Sequence, residues 1–276
     1  MELDEHVIGI CSWSLNPLDT GDLIAKVKQL ELSHVHLDLT TLLKLDGPGR
    51  ADAIAQLQEC GIEVTSGMVT FTGEDYSSIS IIRQTGGFVP DATWEQRRNL
   101  TVRCAGLANQ AGVQKLSVHV GFIPDPGDNA YATLLKRVGE VAGRCAEYNV
   151  AFLMETGQES AERLLQFISD LPQRNVAINF DPANMILYGS GDPVQSARLL
   201  GTHIGHVHIK DATRSKRPGV DWGEEVPFGT GDVSVREFIA ALHAAQFRGP
   251  LMIEREAGND RFADVRTAIE TLRRVL

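Results

Sequence analysis

Only 4 cysteines occur in 276 residues, at Cys11, Cys60, Cys104 and Cys145, and none forms a CxxC pair. Such spacing excludes a disulfide-framed scaffold or a structural zinc knuckle, and leads us to expect reduced thiols in a cytoplasmic setting. No apolar run approaches the ~20 residues that a membrane span requires. The opening stretch, MELDEHVIGICSWS, puts no basic segment ahead of its short apolar run, so we read no secretory signal there. Positive charge is also scarce: 26 Lys and Arg face 36 Asp and Glu, for a formal net charge of −10. That balance repels a nucleic-acid backbone, and a small molecule is the expected partner. A homo-oligomer is allowed by these numbers. No GxGxxG follows the first β-like run, so the dinucleotide-binding fingerprint is missing. Low-complexity tracts and repeats of 20–50 residues are absent too, and residues 1–276 read as one domain.

What the chain does have is strict alternation. β-like runs begin at Val7, His34, Ile62, Lys115, Ala151, Val176, Ile204 and Leu251, each followed by a stretch of helical periodicity. Eight β–α pairs joined by right-handed crossovers close most simply into a (β/α)8 barrel, with a doubly wound sheet as the alternative. One long connection, Thr72 to about Ala92, has an apolar tip at Phe88 and Val89, and we expect a functional lid.

In such barrels the reactive groups stand at the C-terminal ends of strands. The fifth run ends at Glu155 and the sixth at Asp181, while the seventh carries His208 and the eighth Glu254. Singly, an acid at a strand end is more often a helix cap. Four oxygen or imidazole donors on four successive strand ends instead suit one divalent metal: Mn2+, Mg2+, Co2+ or Zn2+.

The segments METG around Glu155, NFDPANM around Asp181, HVHIKDA around His208, GTGDV near Gly231 and MIERE around Glu254 resemble the sugar phosphate isomerase/epimerase family of xylose isomerase-like TIM barrels. Ketose 3-epimerases, hydroxypyruvate isomerases and inosose dehydratases belong to that family. The resemblance spans nearly the whole chain. It implies one divalent metal, Mn2+ foremost, on Glu155, Asp181, His208 and Glu254, with Glu155 and Glu254 as the acid/base pair. It also implies a substrate contact from Arg214, six residues past His208. Two departures bear on the substrate: Asn184 stands where many relatives carry a histidine, and Ser215 to Pro227 is an insertion. The related three-zinc endonuclease pattern fails at Met68, Thr70, Asn184 and the DWG of 221–223.

Other residues have two readings each. Lys210 would support an enediolate oxygen or neutralise nearby acids, and His119 would touch substrate or sit satisfied in the core. Trp13 would wall a sugar ring or merely pack. His36 and His206 read as structural support near the barrel interior, and Glu256 as the partner of a loop cation. The expected activity is a metal-dependent isomerase or epimerase of a small sugar or polyol-derived carbonyl compound, acting through proton abstraction and an enediolate. A metal-dependent lyase (an inosose-type dehydratase or a 3-keto-glycoside deglycosidase) is the alternative. A non-catalytic sugar- and metal-binding partner subunit is the alternative of another class.

Overall fold

The computed structural model describes residues 1–3 and 5–276. Its frame is eight parallel strands: β1 (His6–Cys11), β2 (His34–Asp38), β3 (Glu63–Val69), β4 (Lys115–Val118), β5 (Ala151–Glu155), β6 (Val176–Phe180), β7 (Ile204–Ile209) and β8 (Leu251–Ile253). Each pairs with its sequence neighbour, and β8 returns to β1 with Leu251 opposite Ile8, which closes the barrel. The expected (β/α)8 architecture is therefore present.

Eight helices cover the outside: α1 (Thr20–Gln29), α2 (Gly47–Glu59), α3 (Trp94–Gln110), α4 (Asn129–Glu147), α5 (Ala161–Asp170), α6 (Pro193–Leu200), α7 (Val235–Ala244) and α8 (Arg261–Val275). Six of them start on a side chain that accepts an N-terminal amide: Asp19, Asp46, Asp128, Ser160, Asp192 and Asp260. These caps satisfy donors that a helix leaves open and fix where each βα loop ends. Strand alternation then sorts the side chains. On β2, Val35 and Leu37 are buried beneath the helical layer, while His36 points inward with no exposure. Among the described residues no helix is long and apolar enough to cross a membrane.

Two segments depart from the plain barrel, and both rise over the C-terminal rim. Residues 72–92 contain a short helix, Ile79–Thr85, and are tethered from below. The buried Arg97 guanidinium donates to the carbonyls of Thr85 (2.7 Å), Gly87 (2.6 Å) and Thr72 (3.4 Å). Gly87 has φ +56°, and a Cβ there would lie 2.0 Å from the Val120 carbonyl carbon, so only glycine lets this segment dock. Phe88 N donates to Val120 O at 2.9 Å, and this contact replaces the last part of the longer fourth strand expected from KLSVHVG. The second segment is the insertion. It leaves β7 as Asp211–Thr213 and returns as Glu224–Val226, the two pairing in an antiparallel ribbon.

Candidate metal centre and active site

The four donors expected from the strand ends do converge. Glu155, Asp181, His208 and Glu254 place ligand atoms within 4.8 Å of one another, and all four residues are buried. His208 Nδ1 lies 3.4 Å from Glu155 Oε1, 3.5 Å from Asp181 Oδ2 and 3.3 Å from Glu254 Oε2. Asp181 fills two roles at once. Its Oδ1 caps the short helix Pro182–Tyr188 by accepting from Asn184 N at 2.9 Å, while its Oδ2 is buried without a hydrogen-bond partner. Glu155 Oε2 and His208 Nδ1 are likewise buried and unpartnered. The unsatisfied Asp181 Oδ2 and His208 Nδ1, with Glu155 Oε1 and Glu254 Oε2 beside them, have the donor chemistry of a divalent-cation site.

The remaining polar atoms are held. Glu254 Oε1 accepts from Trp13 Nε1 at 2.6 Å, and its Oε2 accepts from Lys210 Nζ at 2.9 Å. Glu155 Oε1 accepts from Asn184 Nδ2 at 3.2 Å, and His119 Nε2 stands 3.6 Å from Glu155 Oε2. Trp13 reaches inward because β1 ends at Cys11 and the turn Ser12–Leu15 folds over the rim. Lys210 lies between Glu254, Glu256 (2.8 Å), Glu225 (3.7 Å) and Asp181 (4.0 Å).

Charges follow this packing. Burial alone would raise the Glu254 carboxyl, but Lys210 and His208 outweigh it and hold it well below the usual range. In Glu155 the same penalty is outweighed by His119 and His208, so this carboxyl too is held low. Asp181 is pushed up to about 6, burial exceeding the pull of Lys210. Against its own burial, Lys210 is held well above its ordinary value by Glu254, Glu256, Asp181 and Glu225. Cys11 forms a second close group with His36 and His208. Burial pushes its thiol to about 12, so it stays protonated beneath the acids.

Below the acids the barrel interior is polar. His208 Nε2 lies 3.0 Å from His36 Nδ1 and 3.1 Å from the Asn179 amide. Asn179 Oδ1 in turn meets His206 Nδ1 at 2.8 Å, and His206 Nε2 meets Thr65 Oγ1 at 3.2 Å. Sequence reasoning anticipated His36 and His206 in support but missed Asn179. The available signal was parity, because Asn179 precedes Asp181 by two residues on the same strand face.

A cavity of about 520 Å3 opens over the cluster. Trp13, His119, Asn184 and Lys210 line it. Arg214 is not in its lining; its backbone amide donates to Asp232 Oδ2 at 2.8 Å, and Arg217 pairs with Asp221. The sequence reading missed the outer wall, formed by Phe71, Tyr76, Leu187, Tyr188 and Trp222. It also missed Glu225, whose Oε1 accepts from Arg255 Nη1 (2.8 Å), Glu256 N (2.9 Å) and Ala257 N (3.1 Å). The GTGDV loop coordinates an internal anion: Asp211 accepts from the amides of Gly229, Gly231, Val233 and Ala212.

Known structures share this frame. A xylose isomerase domain protein from Planctomyces limnophilus is 30% identical and superposes with a TM-score of 0.89, over 98% of this chain and 96% of that one. A xylose isomerase-like TIM barrel protein from Mycobacterium smegmatis, crystallised with magnesium, gives 0.74 at 16% identity, over 99% and 98% of the two chains. D-Psicose 3-epimerase from Clostridium cellulolyticum H10, crystallised with D-tagatose, also gives 0.74 at 16% identity, over 98% and 99%. No curated protein matches the chain in sequence. The family profile that does match runs over residues 24–275, nearly the whole barrel, and by it the chain belongs to the xylose isomerase-like TIM barrel family.

Proposed function

We propose that this protein is a divalent-metal-dependent isomerase or epimerase acting on a small, uncharged polyhydroxy carbonyl compound. The observation that carries the reading is the convergence of the buried, unpartnered Asp181 Oδ2 and His208 Nδ1 with Glu155 Oε1 and Glu254 Oε2 beneath an open cavity. Glu155, Asp181, His208 and Glu254 would hold the cation, and their oxygen-rich set suits Mn2+, with Mg2+, Co2+ or Zn2+ as alternatives. A bound divalent cation supplies Lewis-acid stabilisation of the charge that develops as a carbonyl substrate loses its α-proton.

The chain's own groups do the proton work. Glu155 is held ionised, and its Oε2 has no other proton to accept, so it is the base on its side of the cavity. Glu254 approaches from β8, three strands round the barrel, and is positioned by Trp13 and Lys210. A proton returned from that side inverts the carbon; one returned by Glu155 does not. Asn184 Nδ2 donates to Glu155 Oε1 and fixes it, and the amide cannot act as an acid or base near neutral pH.

An uncharged substrate agrees with the lining, in which Glu74, Glu155, Glu225, Glu254 and Glu256 outnumber Lys210. The loop amides that could cradle a phosphate are already taken by Asp211. The test is proton exchange: the Mn2+-loaded protein is incubated in D2O with ketoses, inososes and 3-keto glycosides, and deuterium entry at the α-carbon is followed by NMR. We expect metal-dependent exchange with at least one of these, abolished by Glu155→Gln and by Glu254→Gln with the fold kept. Near-native exchange in either variant removes that glutamate from the acid/base pair.

A further inference from the structure

The cavity over the acids has two chemically different ends. At its floor are Glu155, Glu254, Lys210, His119 and Asn184, groups that suit a polyol and a carbonyl. Its outer end is walled by Phe71, Tyr76, Leu187, Tyr188 and Trp222. Three of these come from separate parts of the chain: Tyr76 from the segment 72–92, Tyr188 from the end of the helix after β6, and Trp222 from the insertion. The Trp222 ring stands 4.6 Å from that of Tyr188 and 6.5 Å from that of Tyr76.

The polar atoms of these rings are already engaged. Trp222 Nε1 donates to the Tyr76 carbonyl at 3.0 Å, and the Tyr76 hydroxyl donates to Glu74 Oε2 at 3.2 Å. The Tyr188 hydroxyl accepts from the buried Gln158 at 3.4 Å. The acids of this end are committed as well. Glu74 Oε1 accepts from Gly87 N at 2.7 Å, and Glu225 is held by Arg255 and Lys210. The outer end therefore presents aromatic surface and few open donors. A second sugar placed there would leave its hydroxyls unpaired, which is costly in a desolvated site. A planar apolar group would need no partners and would gain ring contact.

We propose that this outer end is a subsite for an uncharged aryl group carried by the same molecule whose polyol carbonyl end reaches Glu155 and Glu254. It rests on the reaction proposed above and names its substrate class: an aryl-substituted sugar derivative, not a free monosaccharide or a sugar phosphate. Tyr76 and Trp222 are specificity-determining residues, and neither touches the reacting carbon.

The test is binding to the Mn2+-loaded protein of matched phenyl and methyl glycosides of glucose, galactose and mannose, read by tryptophan fluorescence and calorimetry. At least one phenyl glycoside is expected to bind about tenfold or more tightly than its methyl counterpart. Trp222→Ala and Tyr76→Ala should each remove most of that preference, and Trp222→Phe should keep it, with circular dichroism confirming that each variant folds. The subsite is overturned if every pair binds equally or not at all, or if both alanine variants keep the full phenyl preference. These glycosides carry no carbonyl, so they probe the subsite alone. A phenyl preference without proton exchange on any carbonyl substrate overturns the reaction, and exchange without the preference overturns the subsite.

Discussion

His36 sets a testable condition on how His208 can bind a cation. To give Nδ1 to a metal, His208 must carry its proton on Nε2, and that N–H then needs an acceptor inside a fully buried layer. His36 Nδ1, at 3.0 Å, is that acceptor. Burial, and then the nearby His208, push the His36 imidazole down to about 3, so its lone pair stays available. Without metal, the surrounding acidic groups hold the His208 imidazole well above its ordinary value against its own burial, and Nδ1 keeps a proton among the three carboxylates. Replacing His36 by Phe removes the acceptor that the metal-binding tautomer of His208 requires. An unpaired buried donor costs roughly 1–3 kcal/mol, and loss of such a supporting partner weakens metal affinity by roughly 10–100-fold. The Asn179 atom at 3.1 Å is its Nδ2, itself a donor, so it cannot accept that proton in place of His36. His36→Gln, which keeps an acceptor, should bind nearly as well as the native protein. Calorimetry with Mn2+ measures the affinities, and 15N NMR of the Zn2+-loaded protein reads the His208 tautomer. A folded His36→Phe variant that binds Mn2+ within about twofold of native refutes the argument.

Three further outcomes follow from other parts of the structure. Glu159 is buried with Oε2 unpartnered, and burial raises its carboxyl from 4.5 to about 8. Between those values the folded chain holds a proton that the unfolded chain has released, so stability falls as pH rises and the full penalty is reached above about 8. Glu159→Gln should be nearly neutral near pH 5 and stabilising by on the order of 3–4 kcal/mol near pH 8; urea unfolding that shows a constant gap removes this account. Asp211→Ala strips the acceptor from four loop amides and should cost roughly 2–4 kcal/mol in thermal or urea unfolding, with the ribbon's amides losing exchange protection. Mn2+ at about 100 times its dissociation constant should stabilise the fold by about 2.7 kcal/mol, and EDTA should reverse it. Glu254→Gln should shrink that gain.

The barrel and the four converging donors were legible because both are periodic. Strand alternation put His206, His208 and Lys210 on one face, and the ends of four successive strands are neighbours by construction. The outer wall was not legible, because Tyr76, Tyr188 and Trp222 meet only through the paths of two long segments, which no local pattern encodes. Arg214 was placed from sequence on different grounds. The resemblance implied a substrate contact for it; it follows the ribbon strand Asp211–Thr213, lies outside the cavity lining, and its backbone amide donates to Asp232. Asp181 was ambiguous from sequence for a physical reason: it caps a helix with one oxygen and faces the cluster with the other.

The ribbon Asp211–Thr213 and Glu224–Val226 returns to the barrel beside the strand it left, its two ends held together by three paired positions. What lies between, including Trp222, is thus a removable cassette in the engineering sense. Its length and sequence can drift or be grafted from another barrel with little effect on β7, provided the return strand still delivers Glu225 to Arg255 and Lys210. Within one lineage the reaction could stay constant while substrate choice diversifies. A chimaera exchanged at Thr213 and Glu224 is the natural place to begin redesigning what this barrel accepts.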